Sequence, residues 1–69
     1  MKVKLERVAT LWKNRKNIPI VVEGDAHSKP VVGERFWVGK YFRTGKVQKI
    51  IDDNTFETFN SRYKWIKIN

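Results

Sequence analysis

The chain has 69 residues, no cysteine, and 15 Lys+Arg against 7 Asp+Glu for a net charge of +8. That length excludes a second domain and leaves too little core to wall off a deep reaction centre, because so short a chain buries only about 60% of its unfolded surface. The absence of cysteine excludes disulfide staples and thiolate metal sites, and the cation excess favours acidic partners such as nucleic-acid phosphates.

The first predicted element is a strand over Lys2–Trp12. Val3 and Leu5 share one face, Val8, Thr10 and Trp12 the other, so a bulge or bend is expected between Leu5 and Val8. Leu5, Val8, Ala9 and Trp12 also fit helical spacing; the missing N-cap and the β-branched content favour the strand. KNRKN (13–17) reads as a basic turn. IPIVVEG (18–24) reads as an edge strand or a strand start, since Pro19 cannot donate to a ladder. DAHSKPVVG (25–33) reads as a loop.

Residues 34–43, ERFWVGKYFR, read as one strand with Phe36, Val38 and Phe42 on one face and Trp37 and Tyr41 on the other. RTGK (43–46) reads as a turn; it lacks the spacing of a phosphate-binding loop. KVQKIID (46–52) and TFETFNSRYKWIKI (55–68) flank Asp53–Asn54, a hairpin signal in which Asn54 suits left-handed geometry. The closing strand changes phase after Asn60–Ser61, whose side chains can bond the local backbone and turn a corner. Together these elements predict an all-β chain: one domain over residues 1–69, folded as a small five-stranded curled antiparallel sheet or SH3-like barrel.

Catalytic patterns are weak. Asp25, His27 and Ser28 adjoin in sequence, whereas triads are assembled in space from separate elements, so His27 reads as a solvated loop residue. Asp52 and Asp53 point to opposite faces of a strand and suit turn chemistry. No cluster has the composition of a metal site, so no metal, cofactor or enzymatic activity is expected.

Cations interleaved with aromatics carry the functional reading. Lys13, Arg15 and Lys16 follow Trp12; Arg35, Trp37, Lys40, Tyr41 and Arg43 share one predicted strand; Arg62, Tyr63, Lys64 and Trp65 share another. Cations neutralise phosphates and flat rings stack on bases, which is how single-stranded nucleic acid is held. Trp37, Tyr41 and Trp65 are the expected stacking rings. The competing reading takes the rings as core and the cations as a solvated skin.

The segment FRTGKVQKIIDDNTFETFNSRYKW resembles small, β-rich accessory proteins of tailed bacteriophages. The resemblance rests on Arg43, Thr44, Val47, Ile50 or Ile51, Phe56, Thr58, Asn60, Ser61, Tyr63 and Trp65, about a third of the chain. It implies no catalytic residue. It implies a small protein made during infection and acting in the host cytoplasm on a host protein or nucleic acid.

The expectation is therefore a non-catalytic basic module contacting single-stranded RNA or DNA. The alternative is an accessory protein that binds and modulates an acidic host protein through the same Tyr, Trp and Arg side chains. No apolar run approaches the roughly 18 residues of a membrane span, and MKVKLERVATLWKNRK is too polar for a secretory signal, so a cytoplasmic location without membrane contact is expected. An edge strand also allows a homodimer.

Overall fold

The computed structural model describes residues 1–12 and 16–68. Lys13 and Arg15 of the predicted contact surface lie outside these described residues. Six antiparallel strands form a nearly closed, barrel-like sheet: β1 Lys2–Thr10, β2 Ile20–Asp25, β3 Arg35–Val38, β4 Phe42–Asp52, β5 Thr55–Thr58 and β6 Ser61–Lys67. Their order is β2-β1-β6-β5-β4-β3, so the first two strands form one hairpin and the last four a meander, joined where β1 pairs β6. No helix occurs among the described residues.

Residues 2–10 are a strand with the expected phase change. Val3 and Leu5 are completely buried, and the β1–β6 register slips between Arg7 and Ala9. A bulge moves the following side chains to the other parity and increases the local twist, which curls the sheet. β4 is irregular in the same way, with shifts opposite Phe36 in its pairing with β3 and two more in its pairing with β5.

Three expectations need correction. There are six strands instead of five, because the predicted closing strand folds back on itself. Residues 59–60 separate β5 from β6, and Phe56 pairs with Tyr63 across the new hairpin. The Ser61 hydroxyl donates to Asn60 Oδ1 (3.0 Å) and the Thr58 hydroxyl lies 3.4 Å from both Asn60 Oδ1 and the Ser61 carbonyl, so these side chains close the turn that the sequence suggested as a corner. Residues 34–43 are likewise two strands. Gly39 has φ +68°, a left-handed conformation cheap only for glycine, and starts the β3–β4 turn. Finally, RTGK is not a turn but part of β4, with its irregularity absorbed as a bulge at Thr44–Gly45.

That bulge has a specific repair. The Phe36 N–H, buried and opposite the extra residue, donates to the Thr44 hydroxyl (3.1 Å), which itself donates to the Gly45 carbonyl (2.6 Å). Thr44→Val keeps the shape and removes the acceptor. Since an orphaned buried donor costs about 1–3 kcal/mol, urea unfolding is expected to show a lower midpoint by that amount with an unchanged slope.

Closure is made by glycine. The Gly39 N–H donates to the Asp25 carbonyl (2.7 Å), linking the β3–β4 turn to the end of β2. A Cβ on Gly24 would lie 3.0 Å from Gly39 N and 3.2 Å from its Cα, atoms that cannot rotate away. Gly24→Ala is therefore expected to pry this seam apart at a cost of about 1–3 kcal/mol. Gly45→Ala, whose methyl meets Thr58 Cβ at an ordinary 3.6 Å, is the control expected to change the melting temperature little.

The Asp53–Asn54 hairpin forms as read, with Asp52 paired to Thr55 across it. Asp52 accepts the Asn54 N–H (2.9 Å), and Asn54 Nδ2 donates to the Trp65 carbonyl (3.0 Å), tying this turn to β6. The Asn54 N–H, and then the Thr55 hydroxyl, stabilise the Asp52 carboxylate and hold its pKa below the ordinary 3.8. Asp52 thus serves turn chemistry.

Four of the nine rings, Phe36, Phe56, Tyr63 and Trp65, are buried with Val3, Leu5, Val38 and Val47; Phe42 is half-buried. Phe56 sits edge-to-face with Phe36 (5.6 Å between centroids) and stacked on Tyr63 (5.3 Å). Trp12, Trp37, Tyr41 and Phe59 remain exposed, so the core does not consume every aromatic.

Candidate nucleic-acid interface

Strand alternation decides which side chains of β3 reach solvent. Phe36 and Val38 point inward, so Arg35 and Trp37 point outward. Register places Arg43 of β4 opposite Trp37, and its guanidinium carbon lies over the indole, 5.6 Å from the ring centroid. This is cation–π contact range. The indole nevertheless stays 43% exposed. Lys40 and Tyr41 occupy the turn beyond Gly39, and Tyr41 is 95% exposed. Trp37, Lys40, Tyr41 and Arg43 therefore lie together on one hairpin.

The remaining predicted residues do not join them. Trp65 is only 6% exposed and packs against Phe36 at 6.0 Å, so it is a core residue and offers no stacking face. This corrects the sequence reading, and the reason is the β5–β6 turn, which lets Tyr63 and Trp65 face inward as Phe56 does. Lys16 is exposed and borders, with Trp12, Arg7 and Ile18, a separate cavity of ≈430 Å³ beside the β5–β6 turn. That end and the β3–β4 turn are separated by the length of β2, about 17 Å at 3.3 Å per residue.

Arg62 and Lys64 are exposed on β6 but face acids. Arg62 makes a 2.7 Å ion pair with Glu57, and Lys64 lies opposite Glu6. The same compensation runs across the β2-β1-β6-β5 face, where Lys2 is opposite Asp25, Lys4 opposite Glu23, and Glu57 opposite both Lys49 and Arg62. The β3–β4 hairpin lacks such pairing and sets like charges together, Arg35 opposite Lys46, with Trp37 opposite Arg43. Like charges facing each other across a ladder are unfavourable, so this face carries a positive potential that the fold itself does not neutralise.

The sequence reading includes Arg35 in the cation–aromatic run without assigning it a contact and omits Lys46, yet a signal for both is present. Residues 35–51 hold five cations, Arg35, Lys40, Arg43, Lys46 and Lys49, and no acid. Beside Trp37 the surface dips into a cleft of ≈140 Å³ whose lining includes His27, Lys29, Glu34 and Arg35. The Ser28 hydroxyl donates to the Lys29 carbonyl (3.1 Å), a bond local to the loop. No group of three or more His, Cys, Asp or Glu that could hold a metal occurs among the described residues.

No protein-family model matches this chain, and no curated protein or solved structure matches it either.

Proposed function

We propose that this chain is a non-catalytic, SH3-like binding module of the cytoplasm that holds single-stranded RNA or DNA on the outer face of the β3–β4 hairpin. The SH3-like reading is supported by the sequential meander and by the bulged, eleven-residue β4 that serves two different pairings. The functional reading rests on one observation. Two exposed rings, Trp37 and Tyr41, stand among Arg35, Lys40, Arg43 and Lys46 with no acid opposite any of them. Each stacked base contributes about 1–3 kcal/mol, and each phosphate met by a cation releases counterions.

Titration of a fluorescent single strand against salt tests this. Affinity should fall linearly in log–log form, with a slope near −0.7 for each phosphate contact. Absence of binding at low ionic strength would remove the proposal.

A second reading uses the same patch against an acidic host protein, as the phage-like segment implies. Val31, exposed and lining the cleft beside Trp37, favours it, because an apolar rim strengthens a protein interface more than a nucleic-acid one. Pull-down from nuclease-treated bacterial lysate separates the two. Retention of an acidic protein supports this second reading, and loss of all bound material supports the first.

A further inference from the structure

The cleft beside Trp37 is built from parts that do not suit a bare anion. Phe36 forms part of its lining from the core side, Val31 and Trp37 add apolar and aromatic wall, and Lys29 and Arg35 add two cations. Glu34 also lines it and repels a free phosphate. Its volume of ≈140 Å³ is well below the roughly 300 Å³ at which pockets for drug-sized molecules begin. It therefore suits one flat ring system rather than a whole nucleotide.

The cation–π contact sharpens this. Arg43 lies over the Trp37 ring, which holds the indole in place and adds positive charge beside it. Trp37 remains nearly half exposed and is among the residues lining the cleft, so the ring face that Arg43 leaves uncovered is held ready for stacking. Lys29 and Arg35 stand at the same cleft, where a base's adjoining phosphate has to pass.

We infer that this cleft seats a single unstacked nucleobase against Trp37, with the neighbouring phosphate met by Lys29 and Arg35. This rests on the nucleic-acid reading and deepens it. The base must leave its stack to enter, so the site selects single strands over duplex and intact strands over backbones without bases. Tyr41, at the hairpin tip, lies outside the cleft lining.

The test compares one fluorescent single strand with the same strand carrying abasic residues, which keeps every phosphate and removes every ring. The wild-type protein is expected to bind the intact strand at least about fivefold tighter, the lower end of one base's stacking. Trp37→Ala should reduce that preference at least severalfold, leaving only the share that Tyr41 contributes, with the salt slope largely unchanged. Trp37→Phe, which keeps an aromatic ring, should retain part of it, and Lys29→Ala should lower the slope by about 0.7 without removing the preference. Equal wild-type affinity for both strands overturns the base cleft while sparing the polyanion reading. No binding to either strand at low salt overturns both. The wild-type comparison decides the matter even if Trp37→Ala proves unstable.

Discussion

Replacing Lys40, Arg43 and Lys46 together by alanine is expected to flatten the salt dependence of single-strand binding by about two units of slope, three contacts at roughly 0.7 each. Affinity in low salt should drop at least tenfold. Replacing Arg62 and Lys64 should do far less, because Arg62 is already engaged by Glu57 at 2.7 Å and Lys64 lies opposite Glu6. A cation matched by a carboxylate adds little net field for a phosphate to feel. The triple variant should also fold, since it removes exposed groups and relieves the facing Arg35–Lys46 pair. Fluorescence anisotropy across a salt series, run on both variants, is the measurement. Equal losses for the two sets would show that the compensation seen across β1, β5 and β6 does not govern binding.

Phe56→Ala is expected to unfold the protein. Phe56 has no exposed surface, pairs with Ile50 of β4 and Tyr63 of β6, and touches both the Phe36 and Tyr63 rings. Truncating a buried Phe costs about 3–5 kcal/mol. A single core of this size supplies about 3–5 kcal/mol in all, so little remains. Trp65→Ala should be nearly as damaging, whereas Trp37→Ala, on the outer face of β3, should leave the urea midpoint almost unchanged. Circular dichroism through a urea titration checks all three. If Trp65→Ala were no more costly than Trp37→Ala, the inside–outside assignment of these indoles would be wrong.

Those two tryptophans show where reading along the chain stops working. Phe36 and Val38 inward with Trp37 outward follows from alternation over four residues, and it holds. The bulge near Arg7 follows from a parity change between Leu5 and Val8, and it holds too. Trp65 reads as an outward stacking ring because it is interleaved with Arg62 and Lys64, although the phase change after Asn60–Ser61 already signals a corner. Parity carries meaning only within an unbroken strand, and the turn at residues 59–60 restarts it. The same oversight merged β5 with β6 and β3 with the start of β4. In both places a short turn was hidden inside a run of residues that individually suit strands. At Gly39 the deciding feature is a positive φ, which glycine permits but does not require.

The fold brings part of the cation–aromatic run onto one hairpin. Four of its residues, Trp37, Lys40, Tyr41 and Arg43, were legible because they lie within seven consecutive positions of one hairpin. Lys46 and Lys29 join Arg35 and these four only through pairing and through the loop that lines the cleft.

Alternation, turn-forming residues and a seventeen-residue stretch without an acid are local properties, and the amino-acid order alone determined them. It also determined that the chain is all-β and carries more positive charge than it can pair. Which cations find a carboxylate was decided by tertiary structure. Strand register sets Glu6 opposite Lys64, and Glu23 opposite Lys4, between segments remote in the chain. Electrostatic compensation depends on distance across the ladder, about 5 Å between facing side chains, and not on separation in sequence.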